Sequence, residues 1–124
     1  MSDAANKNAA VCRPRFRILL EGEIALGPGK VDLLEAIAEC GSISRAAKQV
    51  TLSYRRAWDM VDTMNRCFST PLVESSTGGR GGGGACLTPL GCRVVRLYRD
   101  MESAAVSATQ KEWKALRQSL KGRD

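Results

Sequence analysis

The chain of 124 residues contains no histidine. The side chain most often used as a general base near neutral pH, and as a nitrogen ligand for metals, is therefore missing. Five cysteines are present (Cys12, Cys40, Cys67, Cys86 and Cys92), but no two of them form a CxxC pair. The sequence thus offers no zinc-site spacing, and we assign no metal ligand. An odd, unpatterned set of cysteines in a reducing compartment reads as small apolar fillers, with Cys12 near the start the one expected to be exposed. Aromatic residues make up 5% of the chain, too few for a platform that stacks the successive bases of a single strand. No apolar run approaches the roughly 18 residues of a membrane span. The opening MSDAANKNAA lacks the basic-then-apolar order of a signal peptide. These absences point to a cytoplasmic protein with no membrane partner. No nucleophile can be matched with a base by spacing, so no enzyme and no catalytic residue is expected.

What is present is positive charge. Nineteen basic against thirteen acidic residues leave +6, which favours a polyanionic partner. The length suits one domain, with 1–12 read as a disordered leader and 13–124 as the folded part.

The organising stretch is Gly41 to Phe68. Ile43, Ala46, Ala47 and Val50 fall on one face of a short helix, and Ala57, Val61, Met64 and Phe68 on one face of a second. Thr51-Leu52-Ser53 leaves room only for a tight corner, with Leu52 free to plug the angle. Ser42 and Ser53 stand as N-caps. Two short helices around a three-residue corner make a helix-turn-helix. The outward face of its second helix carries Arg55, Arg56, Asp59, Asp62, Thr63 and Arg66, with Arg55 and Arg56 in the first turn, the turn that meets base edges in a major groove.

Before this unit, Phe16 to Glu21 reads as a short strand. Lys30 to Cys40 reads as a helix with Val31, Leu34, Ile37 and Ala38 on one face and Asp32, Glu35 and Glu39 outside. That acidic exterior should face away from DNA. Gly41 is placed as the glycine that ends the helix. After the unit, Pro71–Ser75 and Ala85–Thr88 flank a run with six glycines in seven residues (78–84). This reads as a hairpin, or wing, with a long tip where Arg80 can meet phosphate or a minor groove. The rival reading is a backbone nest for a small oxyanion. A phosphate-binding loop fails, because Gly84 is followed by Ala85-Cys86 rather than Lys-Ser/Thr. Thr88 and Pro89 open a long helix, about 89–120. Leu90, Val94, Leu97 and Met101 share one face of it. Trp113, Leu116 and Leu120 form a further stripe with no partner in so small a domain, which suggests pairing with a second copy.

From Gly29 to about Met101 the sequence resembles the N-terminal DNA-binding domain of the ModE family of molybdate-responsive transcriptional regulators. The matching residues are Gly41-Ser42-Ile43-Ser44 with Ala46-Ala47-Lys48, Ser53-Tyr54 with Ala57-Trp58-Asp59, Met64-Asn65 and Leu72-Val73-Glu74. Most specific is Thr77-Gly78-Gly79-x-Gly81-Gly82-Gly83-Gly84-Ala85 with Leu87-Thr88 and Gly91. The GSISxAA part alone is shared widely with LysR-type winged helices. The resemblance implies a mainly α winged helix-turn-helix with a small β-hairpin and a long C-terminal dimerisation helix. It implies a homodimer formed through the strand region and that helix, engaging Phe16, Ile18, Leu97 and Met101, and set on a palindromic double-stranded operator. In that reading Ser53, Tyr54, Arg55, Arg56 and Asp59 form the recognition helix surface, and Ser44, Arg45 and Lys48 hold phosphates. Thr77, Gly78, Gly79, Arg80 and Gly81 form the wing contact. The family's molybdate-binding β-barrels have no counterpart in this sequence. We therefore expect a DNA-binding-domain-only relative with no cofactor of its own. The alternatives are the small oxyanion-binding protein and a sequence-tolerant DNA-bridging protein relying on the basic end at Lys121 and Arg123. Basic residues on the second helix and wing favour the regulator.

Overall fold

The computed structural model describes residues 9–76 and 83–121. The elements run β1 (Ile18–Leu20), β2 (Glu23–Leu26), α1 (Pro28–Cys40), α2 (Ile43–Gln49), α3 (Tyr54–Cys67), β3 (Val73–Ser76), β4 (Gly84–Leu87), α4 (Pro89–Ala108) and α5 (Gln110–Gln118). This is the expected winged helix-turn-helix, mainly α, with α2 and α3 as the motif and the antiparallel pair β3–β4 as the base of the wing.

Helix α1 is the centre of the core. Val31, Leu33, Leu34, Ala36 and Ile37 are all at most 1% exposed, because α2, α3, α4 and β4 all pack against this helix. The expectation of one apolar stripe is corrected here: Ala38 is exposed, whereas Leu33 and Ala36 are buried. A helix enclosed on several sides needs a wider apolar surface than one stripe. Its carboxylates are also not simply solvated. Arg99 of α4 forks onto Glu35 at 2.7 and 2.9 Å and reaches Asp32 and Glu102, each at 2.9 Å. Hydrogen bonding from Arg99 lowers the Glu35 pKa, against an opposing effect of burial. The pair's contribution is thus present above the ordinary carboxylate pKa and is lost as acid protonates Glu35.

The first strand is one half of a hairpin. Leu19 pairs with Ile24 and Leu20 with Glu23. Glu21 and Gly22 turn the chain at φ 49° and 86°, the backbone of a type I′ turn. Sequence reading found Phe16–Glu21 and missed β2, because Glu-Gly is a weaker hairpin signal than Asn-Gly. Phe16 lies just before β1. Its carbonyl accepts the Tyr98 hydroxyl at 2.8 Å, and its ring meets the Tyr98 ring edge to face. That contact ties the start of the hairpin to α4.

The long C-terminal helix is present as α4 and is interrupted at Thr109 (φ −107°, ψ 12°) before α5. The Thr109 hydroxyl donates to the Ala105 carbonyl at 2.7 Å while the backbone ladder continues on both sides. Back-bonding of this kind bends helices. The sequence pattern does not break at Thr109, so it reads as one helix.

The cysteines depart from the filler expectation. Cys86 and Cys92 are exposed as well as Cys12, and Cys40 and Cys67 are only part-buried. Cys86 falls on the outward side of β4, whose inward residue is the buried Ala85.

Asn65 locks α3 to the wing. Its carbonyl oxygen accepts the N–H groups of Leu72 (2.8 Å) and Val73 (3.2 Å), and its amide donates to the Val73 carbonyl (3.1 Å). One side chain thus stands in for a neighbouring strand. Asn65→Ala strands these groups beside the buried Leu72 and Val73. We expect it to cost about 2 kcal/mol, read as a lower urea midpoint with an unchanged slope. A midpoint equal to wild type would show that water replaces the amide.

Candidate nucleic-acid interface

Both motif helices start as their sequence directs. The Ser42 hydroxyl accepts the Arg45 N–H and the Ser53 hydroxyl accepts the Arg56 N–H, each at 3.1 Å. Gly41 ends α1 at φ 76°, and its carbonyl accepts the Ala85 N–H at 2.9 Å. The same glycine therefore sets both the angle into α2 and the seat of the wing. In the corner, Thr51 takes φ 61°, a conformation a β-branched residue adopts at a cost of roughly 1–2 kcal/mol. Leu52 packs against the core, its N–H bonded to the Ala47 carbonyl. Ala46, Ala47 and Ala57 are almost fully buried, and their small size lets α2 and α3 approach closely.

With Ala57, Val61 and Met64 in the core, the rest of α3 turns outward. Arg55 is 87% exposed and has only a long contact, 3.7 Å, to Asp59. An exposed pair of this kind contributes little to stability, so the guanidinium is available. Ser53, Tyr54, Arg56 and Asp59 are exposed beside it, and Ser44, Arg45 and Lys48 are exposed on α2. The proposed wing residues, Thr77, Gly78, Gly79, Arg80 and Gly81, lie outside the described residues. Arg66, on the same outward face, is occupied by Asp62 and Glu23.

Two residues near α3 escaped the sequence reading. Trp58 is 46% exposed and, with Tyr54 and Asp62, lines a cleft of about 430 Å³ between α3, the start of α2 and the base of the wing. A tryptophan at helical spacing reads as core, and only the tertiary placement shows it at the edge. Lys30, in the first turn of α1, lies beside Arg56. Burial, and next Arg56, lower its pKa. No local pattern links positions so far apart in sequence.

The surface assigned to dimerisation divides. Phe16 is committed to Tyr98 within the chain. Trp113 is half-buried in an apolar groove under the segment from Cys12 to Phe16. Ile18, Leu97, Met101, Leu116 and Leu120 are exposed, joined by Leu19, Leu20 and Ile24.

Residues 29–92 match the model of the bacterial regulatory helix-turn-helix proteins of the lysR family. The chain belongs to this family. Within it, the chain is 52% identical over 84 residues to the molybdenum transport protein ModE of Azotobacter vinelandii, covering 68% of this chain and 31% of that protein. It is 46% identical over 79 residues to the DNA-binding transcriptional dual regulator ModE of Escherichia coli, covering 64% of this chain and 30% of that protein. This lysR-family chain thus spans about a third of the length of the ModE proteins it matches. The fold is similar to that in the crystal structure of a CbnR_DBD-DNA complex, with TM-score 0.55 and 21% identity over 70% of this chain and 94% of that one. No helix among the described residues is long and apolar enough to cross a membrane.

Proposed function

We propose that this chain binds double-stranded DNA as a homodimer and regulates transcription in a system linked to molybdate. The observation that supports it best is the first turn of α3, where Arg55 and Arg56 stand exposed on a capped helix of a lysR-family motif. A helix presented this way places guanidinium groups against guanine edges in a major groove. Ser44, Arg45 and Lys48 on α2 supply phosphate contacts that fix its register. Asp59, within reach of Arg55, limits the directions in which that arginine can extend. The molybdate link rests on the two ModE relatives. Pairing is supported by β1 and by the Leu97 and Met101 face of α4, apolar and uncovered within the chain.

Selection of bound genomic fragments tests the reading and yields the operator. Arg55→Ala or Arg56→Ala should each cost about 1–3 kcal/mol on operator and relax one base position. Arg80→Ala, expected from its place in the wing sequence to meet phosphate, should weaken operator and scrambled duplex alike and lower the salt slope by about one unit. If Arg55→Ala and Arg56→Ala both leave the operator-to-scrambled ratio untouched, α3 does not read sequence.

A further inference from the structure

We propose that Lys30, held beside Arg56, grips a backbone phosphate on the DNA strand opposite the one met by α2 and the wing. This rests on the DNA-binding reading above and adds a contact made from α1, outside the helix-turn-helix.

Helix α3 has two unlike flanks beside its buried stripe. Tyr54 and Trp58 lie on the flank turned to α2 and the base of the wing, where they line one cleft with Ser44 and Glu74. Arg56, Met60 and Thr63 lie on the other flank and share a shallow cleft of about 290 Å³ with Lys30. A helix seated in a major groove, roughly 12 Å wide, has a wall of phosphates on each side. Ser44, Arg45, Lys48 and the wing belong to the first wall. The second wall falls to the side where α1 begins.

The charges there are arranged for an anion from outside. Elsewhere on α3, Arg55 pairs with Asp59, and Arg66 with Asp62 and Glu23. Among the described residues neither Lys30 nor Arg56 makes an ion pair. Asp59, in the same cleft, leans on Arg55, and Glu23 is engaged by Arg66 and affects Lys30 less than burial and Arg56 do. Two cations side by side, one of them part-buried, oppose folding of the free protein. Bound DNA, with a guanine edge at Arg56 and a phosphate oxygen at Lys30, removes that opposition. Sites kept at a cost to stability are often sites of function.

The test compares wild type, Lys30→Gln, Lys30→Arg and Lys48→Gln on the selected operator and a scrambled duplex, over a range of salt, with thermal melting of each protein alone. Single neutral methylphosphonates placed along each strand identify the phosphate each lysine uses. We expect Lys30→Gln to weaken both duplexes by the same factor, to lower the log–log salt slope by about one unit, and to melt no lower than wild type. Lys30→Arg should retain the slope. One methylphosphonate should weaken wild type without further weakening Lys30→Gln, on the strand opposite the position found with Lys48→Gln. An unchanged slope for Lys30→Gln, with or without a lower melting temperature, overturns the proposal, as does a sensitive phosphate on the same strand as that of Lys48. If wild type binds no duplex at all, the regulator reading fails and this contact fails with it. If wild type binds and Lys30→Gln binds identically, the contact alone is wrong.

Discussion

Gly91→Ala is expected to remove a large share of the folding stability, although alanine favours helices and Gly91 lies in the first turn of α4. A Cβ there would sit 2.2 Å from the Leu72 carbonyl oxygen, 3.1 Å from its carbon and 3.3 Å from the Leu87 Cβ. The oxygen cannot move aside, because it accepts the Thr88 N–H at 2.9 Å and Leu72 is fully buried with its own N–H held by Asn65. The Thr88 hydroxyl adds a bond to the Pro71 carbonyl and accepts the Gly91 N–H. Helix α4 is thereby seated on the start of the wing at a separation only glycine permits. Overpacking against fixed backbone costs about 3 kcal/mol or more, a large share of the roughly 5–15 kcal/mol typical of a domain. Urea unfolding followed by circular dichroism reads this directly. Gly29→Ala is the control, since its Cβ would meet only the Met60 Cε at 3.9 Å. Equal midpoints for the two variants would mean that the contact between α4 and the wing yields easily.

The second large effect concerns pairing. Leu97 and Met101, one turn apart on α4, are exposed at 47% and 42%, and Leu19 of β1 at 65%. All three residues of β1 are uncovered, although a two-stranded hairpin is marginal without cover and a bare apolar edge invites another chain. If these surfaces join two copies, Leu97→Glu with Met101→Glu should convert the protein to monomer with little change in its own melting temperature. Operator affinity should fall on the order of a hundredfold or more, since two linked half-site contacts become one. Binding to an isolated half-site should be preserved. Sedimentation of wild type at micromolar concentration supplies the check. A wild-type monomer there, or an unaltered dimer in the double variant, would remove α4 from the interface.

Both predictions turn on contacts that no local pattern announces. Gly91 stands out in the sequence only as part of a resemblance, and its reason is Leu72, in a different element. Trp113 reads as part of a free stripe until it is found half-buried, lining one groove with the segment from Cys12 to Phe16. The carboxylates of α1 read as a solvated face until Arg99, 64 residues from Glu35 and 67 from Asp32, is found between them.

What the amino-acid sequence determined alone is everything decided within about one helical turn. The apolar spacing of α2 and α3, the caps Ser42, Ser53 and Thr88, and the stop at Gly41 are satisfied by neighbours three or four residues away, so they can be read from the order of residues. The exposed arginines of α3 follow from the same periodicity. The tertiary structure alone decided which outward residues are spoken for. Arg66 and Arg99 are taken up by distant carboxylates, whereas Arg56 is left beside Lys30. Charge carries no periodicity of its own, and its partners are chosen only when separate helices are packed against one core.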